Sequence, residues 1–141
     1  MGRFRSFDRK QNKYHNHTVI IDSITFASKG EAERYLELRD LKKRNEIRDF
    51  ERQPVFILQE KFTKPDCDGE PITYQPIKYV ADFRVTYLDG HQTIEDVKGK
   101  GGYTTPEFKL KKKLFEYKYP ELHLEIIQRS GKGIEVFAEH N

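Results

Sequence analysis

The sequence has a single cysteine, Cys67, so no disulfide can form within the chain, a usage that fits a reducing compartment. Its longest apolar runs are a few residues, far short of the roughly 20 that span a bilayer, and no stretch has the make-up of a secretory signal. No contact with a membrane and a cytoplasmic location are expected. Cysteine and histidine are never grouped at zinc-site spacing; His15 and His17, two positions apart, are not expected to be ligands. No internal repeat and no domain boundary are visible.

The 141 residues suffice for one domain with a proper core. The chain is 35% charged and 35% hydrophobic, and a 13% aromatic share argues for a globular domain over disorder. The net charge of +3 is unevenly spread. Arg3, Arg5, Arg9, Lys10 and Lys13 against Asp8 make residues 1–17 a +4 arm, and the remainder sums to −1. The reading is a basic arm over 1–17, able to touch a polyanion, followed by a single domain over 18–141.

Thr18–Ile21 and Ile24–Phe26 flank Asp22-Ser23 and predict a small N-terminal β-hairpin. Ser28-Lys29-Gly30-Glu31 is a capping box opening a helix. That helix is apolar at Ala32, Tyr35, Leu36, Leu38 and Leu41 and ends near Arg44-Asn45. Residues 47–62 predict one strand with Pro54 at its start or at a bulge, and Lys64–Pro71 predicts a turn. A hairpin follows over 78–98. Thr105 as N-cap and Pro106 in the first helical position start a second helix reaching about Tyr117, apolar at Phe108, Leu110, Leu114, Phe115 and Tyr117. Strands are expected at 122–127 and 134–137, which gives the order β-β-α-β-β-β-α-β-β.

The hairpin over 78–98 carries the chemistry. Asp82 stands in its apolar first strand, and Asp96-Val97-Lys98 in its second. Magnesium takes hard oxygen ligands and keeps several waters, so one or two carboxylates suffice. Asp82 and Asp96 are candidate ligands, with the Val97 carbonyl a third. Lys98 leaves the strand on the same face as Asp96 and is placed to orient a water or neutralise developing charge on a phosphate. The register decides whether this site forms. A strict two-residue Asp89-Gly90 loop sets Asp82 opposite Val97, making Glu95 its partner and removing Lys98. A three-residue loop with Gly90 in a left-handed conformation sets Asp82 with Asp96 and Lys98, and that arrangement is predicted. A further acid is available from the first helix, where Glu31 doubles as the capping-box residue and Glu33, Glu37 and Asp40 lie further along.

Asp82 followed by Asp96-Val97-Lys98, between an acidic helix and a lysine-bearing one, resembles the PD-(D/E)xK nuclease superfamily. Phe26-x-Ser28-Lys29-Gly30-Glu31-Ala32-x-Arg34-Tyr35, then Arg52-Gln53-Pro54, Ala81-Asp82-Phe83 and Glu95-Asp96-Val97-Lys98-Gly99 are similar to a group of small phage and prophage proteins usually assigned to that superfamily. The similarity runs from about residue 18 to 127, and Ala81 stands where the name-giving proline would. The resemblance implies an α/β (α+β) fold with a restriction-endonuclease-like αβββαβ core, a mixed β-sheet flanked by two helices. It implies Asp82 and Asp96 as ligands of Mg2+, or of Mn2+ in its place, Lys98 as the catalytic lysine, and Glu31, preferred to Glu33, as the helix acid. The expected function is a metal-dependent deoxyribonuclease, an endonuclease acting on branched DNA in phage replication or recombination, like a Holliday-junction resolvase. It would work as a homodimer, in the host cytoplasm if phage-encoded. The alternatives are a non-catalytic nucleic-acid-binding module of the same fold and an RNA-directed endonuclease. Candidate DNA contacts are Arg3 and Arg5 in the arm, Lys100 in the glycine-rich loop, and Lys109 and Lys113, four apart on the second helix.

Overall fold

The computed structural model describes residues 18–99, 101 and 104–132; the basic arm, Lys100 and the strand expected at 134–137 lie outside them. The order is β1 (Val19–Ile21), β2 (Ile24–Phe26), α1 (Lys29–Lys43), β3 (Asp49–Arg52), β4 (Val55–Gln59), β5 (Phe62–Pro65), β6 (Pro71–Tyr74), β7 (Ile77–Val80), β8 (Phe83–Thr86), β9 (Gln92–Lys98), α2 (Pro106–Lys118) and β10 (His123–Gln128). The fold is α+β. A four-stranded mixed sheet runs β10-β9-β8-β3, with β3, β8 and β9 antiparallel and β10 parallel to β9. With α1 ahead of β3 and α2 between β9 and β10, the elements about this sheet follow αβββαβ.

Both helices start where the caps place them. The Ser28 hydroxyl accepts the Glu31 amide at 3.2 Å, and the Thr105 hydroxyl accepts the Phe108 amide at 3.1 Å. The helix α1 buries Ala32, Tyr35 and Leu38 against Phe83, Val85 and Val97. The helix α2 buries Phe108 and Phe115 in a second cluster with Phe56, Tyr79, Ala81, Ile94 and Leu124. The sheet is thus covered by one helix on each face, and the central strand β9 is buried over Thr93–Val97. Two residues expected on the apolar side of α2 are not there. Leu110 and Tyr117 are 60% and 88% exposed, because two positions on from Phe108 and Phe115 is about 200° around the helix.

The expected single strand over 47–62 is broken. Arg52 pairs with Phe83 and Val55 with Val80, and between these pairs the backbone kinks at Gln53-Pro54 and Ala81-Asp82. The Gln53 amide donates to the Asp82 carbonyl at 2.9 Å and the Ala81 amide to the Pro54 carbonyl at 3.1 Å. Gln53 takes a left-handed conformation, φ 51°, at a cost of about 1–2 kcal/mol for a residue with a side chain. Beyond the kink, β4 and β7 form a ribbon continued by the β5–β6 hairpin. The turn expected over 64–71 is therefore confined to 66–70, where Asp66 Oδ1 accepts the amides of Asp68 and Glu70 at 2.8 and 2.9 Å. Pro65 and Pro71 pair across its mouth. No helix among the described residues is long and apolar enough to cross a membrane.

The β8–β9 turn has the predicted form. Gly90 donates to the Tyr87 carbonyl at 3.0 Å, Tyr87 donates to the His91 carbonyl at 2.9 Å, and Gly90 has φ 94°. Leu88-Asp89-Gly90 is thus a three-residue loop. The odd count pairs Phe83 with Glu95, and one step further sets Asp82 opposite Asp96. Glu95 falls on the α1 face, fully buried. Arg34 of α1 donates to both of its oxygens, Nε to Oε2 at 2.8 Å and Nη2 to Oε1 at 2.6 Å. Removing one partner of such a pair leaves a buried charge alone. Arg34→Ala is expected to cost about 3–5 kcal/mol in urea unfolding; a loss below about 1 kcal/mol would mean that Glu95 is satisfied without it.

Candidate functional site

At the end of the sheet where β8 begins and β9 ends, three acids and a lysine come together. Asp82 sits in the kink, where its Oδ2 accepts the Val97 amide at 2.6 Å and so does the work of a ladder carbonyl. Val97 meets the site through this N–H, while its side chain joins the α1-side core. Asp96 Oδ2 accepts the Tyr79 hydroxyl at 2.6 Å, and its Oδ1 lies 2.7 Å from Lys98 Nζ. That ammonium also sits 4.1 Å from the centroid of the Phe108 ring. Glu31 arrives from the first turn of α1. The helix can approach this closely because residue 30 is glycine: a Cβ there would stand 2.9 Å from the Arg129 carbonyl oxygen and 3.4 Å from Val97 Cγ1.

The acids act on one another. Burial, followed by the charge of Glu31, pushes the Asp82 carboxyl up to about 7; the Val97 amide and Lys98 pull the other way. Burial and then Asp96 raise Glu31, opposed by Arg52, the Ser28 hydroxyl and Lys98. Burial and the neighbouring Asp96 hold the Tyr79 hydroxyl protonated far above the ordinary tyrosine range. Glu33 lies instead beside Arg129, 3.8 Å away, so Glu31 is the helix acid that couples to the hairpin. Glu95, the partner Asp82 would have had in the other register, is on the opposite face with Arg34.

Among the described residues no group of three or more His, Cys, Asp or Glu side chains is arranged to hold a metal ion. Asp82 and Asp96 offer two hard carboxylates in a buried, acid-rich setting relieved by one paired lysine. That donor set suits magnesium, which needs only one or two carboxylates.

Three residues beside the site were not among the candidates named from the sequence. Tyr79, held among Phe56, Phe108 and Phe115 at centroid distances of 5.8–6.5 Å, orients Asp96. Its signal was a hydroxyl-bearing ring three residues before Asp82. Arg52 stacks on the Phe26 ring at 4.7 Å and offsets Glu31. Lys111 rather than Lys109 or Lys113 lines the cleft that opens beside Asp96; Lys109 and Lys113 are exposed elsewhere on α2. Arg3, Arg5 and Lys100 lie outside the described residues.

A family described as a protein of unknown function (DUF1064) matches residues 11–135, and the chain belongs to that family. No curated protein and no solved structure is similar enough to match.

The raised Asp82 carboxyl makes a stability prediction. Its unfolded value is 3.8 and its folded value about 7, so between those pH values the folded chain holds a proton that the unfolded chain has lost. Stability therefore falls as pH rises through this window, by about 1.4 kcal/mol per unit for this group. Asp82→Asn keeps an acceptor for Val97 and removes the charge. In EDTA it is expected to be about 2–4 kcal/mol more stable than wild type at pH 7.5, with the gap largely closed at pH 4. Urea unfolding at the two pH values measures this, and an equal gap at both would contradict it.

Proposed function

We propose that this DUF1064 chain is a magnesium-dependent nuclease that hydrolyses phosphodiester bonds in DNA, an endonuclease of the PD-(D/E)xK kind. The observation that carries the reading is the kink at Gln53-Pro54 and Ala81-Asp82. The loop register sets Asp82 opposite Asp96, and the kink turns its carboxylate into a cluster with Glu31 that destabilises its own ionised form near neutral pH. A structural role does not require acids to be gathered in this way, whereas a cation site does. Asp82 and Asp96 would hold the ion, with the Val97 carbonyl a candidate third ligand. Bound there, magnesium supplies an activated water and charge stabilisation for the phosphate and the leaving oxygen.

The remaining steps belong to the chain's own residues. Tyr79 fixes the rotamer of Asp96. Glu31 accepts a hydrogen bond from a positioned water. Lys98, already beside Asp96 and braced on Phe108, orients the nucleophile and meets the negative charge that develops on the phosphoryl oxygens. Arg52, near Glu31 at the rim, stands where a second phosphate contact would be made. Branched DNA is the preferred substrate class, and cutting a four-way junction on both strands would require two such sites, hence a homodimer. One observation favours a second reading, a nucleic-acid-binding module without catalysis: both oxygens of Asp96 already have partners within the chain.

Cleavage of a labelled panel separates these readings. Linear duplex, single strand, flap, four-way junction and RNA are incubated with Mg2+ or Mn2+, using wild type, Asp96→Ala and Lys98→Ala. Wild type is expected to cut at least one DNA form, EDTA and Asp96→Ala to abolish cutting, and Lys98→Ala to slow it by about 10²–10³-fold with metal binding kept. Binding without cutting in either metal would favour the module, and cutting of RNA alone would move the substrate class.

A further inference from the structure

Between the ribbon strand β7 and the start of α2 lies a cleft of about 290 Å³ that opens directly beside Asp96. Its lining combines aromatic, apolar and cationic groups with two acids, Asp96 and Glu107, and the Thr105 hydroxyl. Tyr79 and Phe108, 4% and 8% exposed, form its floor and are held in place by the α2-side core. Val80 adds an apolar surface that is 51% exposed although it stands on a strand. Lys78 approaches from the ribbon and Lys111 from the helix, so both walls carry a cation. The Lys78 side chain makes no hydrogen bond or ion pair with the described residues, and among them the Lys111 ammonium pairs only with Glu107 of its own helix, at 3.1 Å.

An apolar surface with a cation on each side suits a nucleotide strand: the exposed Val80 meets the sugar or base, and ammonium groups meet the phosphates on either side. The volume falls just below that of ligand pockets, which run roughly 300–1,000 Å³, and is on the scale of one nucleotide rather than of a base pair. The cleft also leads to the acid cluster, since Asp96 belongs to both. A strand lying in it delivers the neighbouring phosphate to Asp96 and Lys98.

We infer that the β7–α2 cleft is a binding site for one unpaired nucleotide of a single strand, with Lys78 and Lys111 as its phosphate contacts. The protein therefore selects nucleic acid with a single-stranded segment over continuous duplex. The inference rests on the proposed nuclease for its catalytic meaning, but the binding itself requires no cleavage.

The test uses the full chain in EDTA, with fluorescence anisotropy on a labelled single-stranded oligonucleotide and on the blunt duplex of the same sequence, over a salt series. Wild type is expected to prefer the single strand by about tenfold or more. The double variant Lys78→Ala/Lys111→Ala should lose this preference. It should also flatten the log affinity against log salt line by about 1.4, since each phosphate contact to a single strand contributes about 0.7. Lys42→Ala/Lys43→Ala, which removes the same charge from the far end of α1, should leave both quantities as in wild type. Both lysines of the cleft are at the surface, and thermal melting of the double variant establishes that it folds. Equal affinity for the two nucleic acids, no binding by wild type, or a double variant with unchanged slope each overturns the inference. Selective binding without metal-dependent cutting would remove the nuclease and keep the cleft; cutting that is indifferent to the two lysines would do the reverse.

Discussion

The hydrogen bond from the Val97 amide to Asp82 Oδ2 is the constraint on which the site depends. A ladder normally supplies a backbone carbonyl at this point. Here the strand that would supply it bends away at Ala81-Asp82, and a side chain substitutes. The bend is enforced from the other side by Gln53 in its left-handed conformation and by the buried Pro54, whose carbonyl binds the Ala81 amide. Two strands that could have run straight are thereby divided into a sheet and a ribbon. The division turns one carboxylate inward and opens the ground between β7 and α2.

What keeps three acids in such proximity is the packing on both faces. On the α2 face, Tyr79 and Phe108 belong to an aromatic cluster, and each also serves the site, Tyr79 through its hydroxyl and Phe108 under the Lys98 ammonium. On the α1 face, the Arg34–Glu95 pair fixes the helix against β9 one residue before Asp96, and Gly30 lets the helix start close on the strand ends. Arg34 also contacts Glu37 at 2.9 Å, which in turn binds Arg129 at 2.8 Å, so α1, β9 and the end of β10 are linked in one ionic chain. The cost of gathering the acids falls on Asp82, whose carboxyl is pushed up to about 7, and is carried by this scaffold.

The parts legible in the sequence were those governed by local rules. Ser28 and Thr105 set the helix starts because an N-cap needs only its own backbone. Gly90 after Asp89 set the loop, the loop set the register, and the register brought Asp82 to Asp96. The parts that were not legible depend on contacts distant in sequence. The split of 47–62 follows from the facing bend at residues 81–82, and the β5–β6 hairpin was hidden by prolines that pair across its turn. Tyr79 is a core residue, and its hydroxyl becomes part of the site only because β9 lies beside it. Among the helix lysines, the pattern could offer ridges, but the face toward the cleft was fixed by where Phe108 docks, and that selects Lys111.

Metal binding measured apart from any reaction tests the central claim most directly. Mn2+ is titrated into wild type, Asp82→Asn and Asp96→Asn at pH 7.5 and followed by electron paramagnetic resonance. The account predicts saturable binding of Mn2+ by wild type, competed by Mg2+, and weakened on the order of tenfold or more in each variant. Equal, unsaturable uptake by all three proteins would contradict it and leave the acid cluster without its cation.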